Sequence, residues 1–340
     1  MRRRLAAGAL ALGAVALGFL AVWNYSALSL GLRAETTMAG DFALAAPLPA
    51  SLTEAGGAAC HGFLYLVGGI GGLAETHASA YRYAPAEDRW SRLADLPQAL
   101  SHPAVACADG ELYVAGGFGP LGLRLRGFMF ARWDPRGTLY RYDRARGRWQ
   151  ALAPLPEARG AGAAAATRGA LWYAGGIRPD LELASDLYRY DLAGDRWTRE
   201  APMPTPRDHL RLEAIGEALY AISGRRDDLR FNLASVERYE VASGSWRSAA
   251  PHPVPRGGLA SAVFGDRIYT FGGEFPWHCH DGIEVYDPLA DRWRTIGTLP
   301  ESRHGIVAGV LDGQLHLVSG GRHPRISASR IHRVFRPRGG

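Results

Sequence analysis

Side chains able to bind anions or move protons recur in two sets of short segments along this chain. One set follows each Pro-x-Pro or Leu-Pro turn and contains His102, Arg159, Arg207, His209, Arg256, Arg303 and His304. The other set follows each Gly-Gly step and contains Arg178, Arg225, Glu274, His278 and Arg322. A guanidinium group is planar, permanently charged and pairs bidentately with carboxylate or phosphate. The arginines therefore favour an anionic ligand.

One segment is longer than its equivalents and alternates arginines with aromatic residues. It spans 118–137 and includes Arg126 and Trp133. Long loops in compact folds are commonly lids or binding loops. We expect Arg126 and Trp133 to contact a ligand such as a sugar ring, a peptide or an anion. The alternative is that the segment only covers an adjacent edge of the fold.

The cysteine and histidine spacing does not require a metal centre. In an extended chain, His278 and His280 would point the same way on either side of Cys279, but no third ligand has a spacing that compels a metal site. The sequence contains no nucleophile motif or phosphate loop, and it has no basic-aromatic nucleic-acid-binding pattern outside the segment 118–137. We therefore expect no metal, no cofactor and no nucleic-acid partner.

The composition is that of a globular, turn-rich chain. Of the 340 residues, 47% are hydrophobic and 21% charged, which excludes intrinsic disorder. The 43 glycines and 21 prolines follow no three-residue period, so they favour a turn-rich β protein over collagen. The formal net charge of +6 owes much to arginines around an N-terminal apolar segment, so it does not argue for nucleic-acid binding.

That apolar segment predicts a membrane helix. No residue between Arg4 and Arg33 is charged, and the run is long enough to cross a bilayer. We predict a signal-anchor transmembrane helix or a cleaved signal peptide over 1–33, followed by a linker over 34–41. The arginines at 2–4 would stay in the cytoplasm. The rest of the chain would then lie outside it, periplasmic or extracellular, either anchored in the membrane or secreted after cleavage.

From residue 42 onward the sequence repeats one unit six times. A large side chain precedes each Gly-Gly or Ser-Gly step, at Tyr65, Tyr113, Trp172, Tyr220, Tyr269 and His316. Tryptophans recur in phase at Trp90, Trp149, Trp197, Trp246 and Trp293. The alternation and turn density predict four short antiparallel strands per unit. Phe42 fills the missing sixth tryptophan position, so an N-terminal strand should complete the last unit, whose other strands run through Phe335.

The three cysteines are too few for a disulfide scaffold. Cys60 and Cys107 occupy matching positions on neighbouring small-residue strands, where either buried thiols or a disulfide would fit. Cys279 would be a free thiol.

The double glycines, the Tyr-x-Tyr-Asp segments such as 140–143 and the spaced tryptophans resemble the kelch-repeat β-propeller family over 42–335. The resemblance implies an all-β, six-bladed propeller over 42–337, closed by the N-terminal strand, with a tail over 338–340. In such repeats the glycines and aromatics are scaffold. The arginine after the Leu-Pro turn also recurs there, so some arginines could bridge neighbouring blades instead of binding a ligand.

In a propeller the two loop sets would share one face and converge at the channel mouth. We expect a non-enzymatic module that holds an anionic carbohydrate or a protein partner at an arginine-rich mouth. The alternative is a sugar mutarotase or epimerase of sialic-acid type, since the architecture is similar to that of the exported kelch enzyme that epimerises N-acetylneuraminate. Its proton carriers would be drawn from Glu274, Asp208, His209 and His304. Copper chemistry of the galactose oxidase type is not expected, because that ligand constellation has no match here.

Overall fold

The computed structural model describes residues 40–120, 122–123, 131–325 and 327–338, with backbone only at 122–123 and 131–132. The N-terminal helix predicted over 1–33 lies outside the described residues. Within the described part, no helix has the length and hydropathy needed to cross a bilayer. Its only helical turn is a short 3-10 segment, Pro85–Glu87. The all-β prediction is confirmed for this part of the chain.

The described strands form six four-stranded antiparallel sheets, which we call blades. The first strand, β1, spans Gly40–Leu44 and so begins inside the predicted linker. Blade 1 contains β2 (Gly56–Cys60), β3 (Phe63–Val67), β4 (Ala80–Ala84) and β5 (Arg89–Arg92). Blade 2 contains β6 (Ala104–Ala108), β7 (Glu111–Ala115), β10 (Leu139–Asp143) and β11 (Arg148–Ala151), and its long loop holds the pair β8 (Gly122–Leu123) and β9 (Ala131–Arg132). Blade 3 contains β12 (Ala163–Thr167), β13 (Ala170–Ala174), β14 (Leu187–Asp191) and β15 (Arg196–Glu200).

Blade 4 contains β16 (Arg211–Ile215), β17 (Ala218–Ile222), β18 (Val236–Glu240) and β19 (Ser245–Ala249). Blade 5 contains β20 (Ala260–Phe264), β21 (Arg267–Phe271), β22 (Gly282–Asp287) and β23 (Arg292–Thr298). Blade 6 contains β24 (Val307–Leu311), β25 (Gln314–Val318) and β26 (His332–Pro337).

The two ends of the propeller chain close the ring. The strand order of blade 6 is β1-β26-β25-β24, so the N-terminal strand is its outermost strand. Phe42 lies opposite Phe335, and their rings are 4.8 Å apart. Each innermost strand packs against the innermost strand of the next blade, and β24 packs against β2. The predicted six-bladed ring with an N-terminal closing strand is confirmed.

Three innermost strands begin later than the small-residue runs suggest. The runs begin at Gly160, Gly257 and Gly305, whereas β12, β20 and β24 begin two or three residues further on. The reason is the backbone of the preceding loop, which adopts the left-handed conformation at 161, 258 and 305 and cannot pair as a strand there.

Tryptophan side chains join successive blades, as expected of scaffold residues. The indole nitrogen of Trp90 donates to the carbonyl of Ala46, 3.0 Å away, and Trp197 repeats the contact with Ala153 at 2.9 Å. The Asp88 carboxylate accepts from both the Tyr83 hydroxyl and the Ala46 amide, each at 2.7 Å. These recurring contacts tie each outer turn to the blade before it.

The innermost strands surround a central channel with a cavity of about 320 Å³. Cys60 on β2 and Cys107 on β6 form a disulfide across the seam between blades 1 and 2, with their Cα atoms 5.5 Å apart. Of the two arrangements that the sequence allows, the structure has the disulfide.

Candidate functional site

The loop that enters each blade carries a residue in the left-handed backbone conformation. These six equivalent residues are Glu54, His102, Ala161, His209, Gly258 and Gly305, with φ between 49° and 64°. Glycine adopts this conformation freely, whereas other residues are strained there. Since glycine or alanine suffices in three blades, Glu54, His102 and His209 are not required by the fold. Such strain commonly marks functional positions.

A second ring of positions lies beside the first. The residue after each Gly-Gly or Ser-Gly step pairs through its backbone with the loop that enters the same blade. In blade 4 this pairing sets Arg225 beside Asp208, and in blade 6 it sets Gly321 beside His304. The polar members of the two rings, together with Asp208 and His304 of the entering loops, form what we call the mouth cluster: Glu54, His102, Asp208, His209, Arg225, Glu274 and His304.

A cavity of about 550 Å³ opens over the mouth cluster, and Glu54, His102, His209, Arg225 and Glu274 line it. Other parts of its wall come from the long loops, which contribute Trp133, Leu229, Arg230, Trp277 and Arg325. The volume lies in the range of small-molecule sites, and the mixed aromatic and charged lining is typical of them.

His304 lies between two carboxylates. Its Nδ1 is 3.0 Å from Glu54 Oε1 and 3.6 Å from Glu274 Oε2, and its Nε2 donates to the His323 carbonyl at 3.0 Å. Burial opposes the charged form of His304, but the hydrogen bond to Glu54 and the charges of Glu274 and Glu54 outweigh it and raise the pKa. His304 is therefore an imidazolium held between two acids.

His102 remains neutral although it faces the same carboxylate. Its Nε2 lies 3.5 Å from Glu54 Oε2, and its Nδ1 lies 3.2 Å from the Ser101 hydroxyl. Burial lowers the pKa of His102 to about 3, against the opposing effect of Glu54. Burial alone would raise the pKa of Glu54, but the hydrogen bond from His304 and the positive charge of that ring hold it below its usual value. The site thus holds an ionised carboxylate between a neutral and a charged imidazole.

Arg225 connects the other side of the cluster. It donates through Nη1 to Glu274 Oε1 at 2.8 Å and through Nη2 to His209 Nε2 at 2.6 Å. Because a guanidinium only donates, His209 Nε2 is unprotonated and its Nδ1 carries the hydrogen. That Nδ1 lies 3.2 Å from Asp208 Oδ1. The backbone amide of Arg325 donates to Glu274 Oε2 at 2.9 Å, so both oxygens of Glu274 are engaged.

Five of the residues that the sequence nominated meet at this cavity: Trp133, His209, Arg225, Glu274 and His102. His304 joins them through Glu54, and Trp133 packs on His102 with 5.3 Å between the rings. Arg126 lies outside the described residues. Whether the assembled residues bind a ligand stays a prediction.

The four arginines that follow the Leu-Pro or Pro-x-Pro turns do not reach the cavity. They are Arg159, Arg207, Arg256 and Arg303, and all are buried. Three of them pair with a buried acid of their own blade, as Arg207 does with Glu237 at 2.8 Å. Arg303 instead donates to the Ser319 carbonyl. The channel mouth therefore carries fewer arginines than the sequence predicted, because these four side chains point into their own blades. They do not link neighbouring blades.

The remaining nominated residues also lie away from the cavity lining. Arg178 pairs with Asp186 at 3.0 Å, and Arg322 and His278 are exposed. The rings of His278 and His280 are 5.2 Å apart, whereas Cys279 is buried and donates to the Gly321 carbonyl. In the described part of the chain two groups have metal-binding spacing, Glu54–His102–His209 and Glu54–Glu274–His304, and neither includes this triplet.

Glu54 is the main residue that the sequence did not nominate. Its loop lacks the arginine that precedes the left-handed position by two residues in blades 3 to 6, as does the loop of blade 2. An alignment of the six entering loops gives a signal, because Glu54 then shares one position with His102 and His209. The sequence did not nominate Arg230, Trp277 or Arg325 either. Their loops differ in length, so they cannot be aligned with one another position by position.

The fold and these loops define a β-propeller with six blades, and residues 255–300, which include blade 5, match the Kelch motif model. The resemblance seen in the repeats is thereby confirmed. The chain is similar to a solved structure titled "Structure of YjhT", with a TM-score of 0.71 and 16% identity over 85% of this chain and 96% of that one. At this identity the similarity shows the fold alone. No curated protein matches the chain.

Proposed function

We propose that the mouth cluster binds a carbohydrate ring and transfers protons on it, as a sugar mutarotase or epimerase does. The observation that carries this proposal is the arrangement of neutral His102, ionised Glu54 and charged His304 beside one cavity. Proton transfer needs a group that can accept and a group that can donate at the same site. Because their environments shift the pKa values of His102 and His304 in opposite directions, the two histidines supply an acceptor and a donor.

The cavity walls suit a sugar ring. Trp133 and Trp277 offer aromatic surface, and Trp277 is 69% exposed, so it is accessible to a ligand. Sugar rings present apolar C–H faces that pack on such surface, while their hydroxyls need buried polar partners. Arg325 also lines the cavity and could pair with a sugar carboxylate, whereas Arg230 lines it while paired with Asp228 at 2.8 Å. An acidic sugar is therefore the first substrate to test.

In this mechanism each residue has one task. Mutarotation opens the ring when the anomeric hydroxyl loses a proton and the ring oxygen gains one. His102 accepts the first proton, and His304 donates the second through Glu54, with which it is hydrogen-bonded. Arg225, paired with Glu274, holds a third histidine, His209, in position at the cavity wall.

The test is the rate of anomeric equilibration, followed by NMR on N-acetylneuraminate and other acidic sugars. We expect the protein to accelerate it, and Glu54→Gln and His304→Gln to lower the protein-dependent rate by about 100-fold or more. Arg322→Gln is the matched control, because Arg322 is exposed and does not line the cavity. An unchanged rate with the native protein across the sugar panel rules out the catalytic proposal.

Binding without catalysis is the second candidate. It is supported by Arg325, an exposed arginine on the cavity wall that suits an anionic glycan. Arg225 and Arg230 line the cavity as well, but they pair with Glu274 and Asp228. In the same NMR experiment a binder shifts or broadens the sugar signals and leaves the equilibration rate alone. If the experiment shows neither effect, a protein partner is the remaining ligand class.

We also propose that the propeller lies outside the cytoplasm, held at the membrane by the N-terminal segment. The Cys60–Cys107 disulfide supports this location, since such bonds persist mainly in oxidising compartments. Thiol alkylation of freshly lysed cells should label Cys60 and Cys107 only after reduction. Labelling without reduction would contradict export.

A further inference from the structure

We infer that the mouth cluster binds a divalent transition metal of the zinc type between Glu54, His102 and His209. The three residues occupy the equivalent left-handed position in blades 1, 2 and 4, and one ligand atom of each lies within 4.8 Å of the others. Two imidazoles and one carboxylate are a common protein ligand set for zinc. The site shares Glu54 and His102 with the proposed proton transfer, but the observations that support it do not depend on that proposal.

The separation of Glu54 and His102 fits two ligands of one metal. Glu54 Oε2 and His102 Nε2 are 3.5 Å apart. A charge-assisted hydrogen bond is normally about 2.7–2.9 Å long, so this contact is long for one. Two ligands that each lie about 2.0–2.1 Å from a tetrahedral metal are roughly 3.3 Å apart, which is close to the separation found here.

Both histidines have a polar atom close to Nδ1, while Nε2 faces the site. The residue just before each histidine supplies it, Ser101 Oγ at 3.2 Å from His102 Nδ1 and Asp208 Oδ1 at 3.2 Å from His209 Nδ1. Metal-binding histidines almost always present their other nitrogen to such a partner, most often a carboxylate or carbonyl. His209 Nδ1 and Asp208 Oδ1 are both buried and make no hydrogen bond within the described residues, so a small rotation of the ring could complete that contact.

In this structure the Arg225 guanidinium contacts a nitrogen that the metal would need. Its Nη2 is 2.6 Å from His209 Nε2, the nitrogen that would bind the metal. The guanidinium has a second partner in Glu274, 2.8 Å from Nη1, so it keeps an ion pair when the metal displaces it from His209. A metal must therefore compete with Arg225, and removing that charge should strengthen metal binding.

The second group of suitable spacing, Glu54–Glu274–His304, is a weaker candidate. His304 Nε2 donates to the His323 carbonyl, and its Nδ1 faces two carboxylates. Both nitrogens of His304 are thus committed as donors, and neither offers a lone pair to a metal. In the first group, by contrast, three protein ligands leave the fourth position open to the cavity above.

Metal binding and proton transfer exclude each other at this site. A bound metal takes the Glu54 carboxylate and the His102 lone pair, the same groups that would move protons. Zinc should therefore inhibit any sugar equilibration by the protein.

The test is titration of the purified, chelator-treated protein with Co²⁺, read by visible absorption, followed by displacement with Zn²⁺. We expect one Co²⁺ per chain with the intense absorption of a four-coordinate site. His102→Gln and His209→Gln should each abolish that absorption, and Asp208→Asn should weaken binding by about 10–100-fold. Arg225→Gln should tighten it. His278→Gln is the matched control, because that histidine is exposed and does not line the cavity.

Three results would overturn the inference. One is no Co²⁺ or Zn²⁺ binding by the native chain, and another is binding that survives both His102→Gln and His209→Gln in proteins that keep the native melting temperature. The third is binding that only His278→Gln removes, which would assign the metal to the surface histidines. Because none of these readouts uses a sugar, failure of the catalytic proposal leaves the result intact.

Discussion

At the scale of single residues, position in the loop decides whether a charged side chain is scaffold or site. Arg207 and Arg225 belong to the same blade, yet Arg207 is fully buried against Glu237 while Arg225 points into the mouth cluster. The difference follows from the backbone. Arg207 precedes the left-handed residue of its loop by two positions, and Arg225 follows the Ser-Gly step. Residue type alone does not distinguish the two.

The buried arginines should matter for stability. Arg207→Met keeps most of the side-chain volume but leaves the Glu237 carboxylate buried, with Thr205 as its remaining side-chain partner. Removing one member of a buried ion pair destabilises a protein by about 3–5 kcal/mol, so we expect a loss of that order in the free energy of unfolding from urea titration. Arg226→Met is the control, since Arg226 is exposed and its loss should change little. Equal effects of the two variants would show that the buried pair does not stabilise the blade.

At the scale of structural elements, the repeats predicted the blades well because local patterns specify them. The Gly-Gly steps, the phased tryptophans and Phe42 each mark a strand or its end, and the ring closure at Phe335 follows from the missing sixth tryptophan. The site was harder to predict. Glu54 meets His304 across 250 residues of sequence, and only the closed ring brings them together. A pattern of local residues carries no information about which way the loop arginines turn.

Blade 6 also contains a pH-sensitive contact, next to the closing strand. His332 Nδ1 donates to the Ala46 carbonyl at 3.1 Å, and His316 Nδ1 lies 2.9 Å from His332 Nε2. A carbonyl only accepts, so His332 Nε2 is an acceptor, His316 donates to it, and both rings are neutral. Burial lowers the pKa of each to about 4, although Asp88 and Asp312 act in the opposite direction.

Stability should therefore fall in acid. In the unfolded chain these histidines take up protons below about pH 6.5, whereas in the folded chain they resist until about pH 4. The loss begins near pH 6.5, grows as the pH falls and is complete below pH 4, reaching up to about 3 kcal/mol for each histidine. The free energy of unfolding from urea titration should decrease as the pH falls from 7.5 to 4.5. His316→Gln should make this decrease shallower, because the unfolded chain then gains one proton fewer. The same slope in that variant would contradict the assignment.

At the scale of the whole molecule, blade 1 depends on two different closures. The N-terminal strand completes blade 6 on one side, and the Cys60–Cys107 disulfide crosses the seam with blade 2 on the other. Blade 1 also carries Glu54, which contacts His304 of blade 6 and faces His102 of blade 2. The candidate site is thus assembled across the two blade boundaries that the N-terminal strand and the disulfide hold together. Its geometry should therefore depend on both of these features.

The disulfide gives the sharpest test of that dependence. It joins residues 47 positions apart, and closing a loop of this length lowers the entropy of the unfolded chain by the equivalent of about 4 kcal/mol. We expect Cys60→Ser with Cys107→Ser to lower the free energy of unfolding by up to that amount, and reduction of the native protein to do the same. Because the bond holds the seam across which Glu54 faces His102, the double variant should also bind Co²⁺ more weakly than the native protein. If stability fell while Co²⁺ affinity stayed the same, the backbone hydrogen bond from the His102 amide to the Glu54 carbonyl would be sufficient to hold the two residues in place, and the disulfide would serve the scaffold alone.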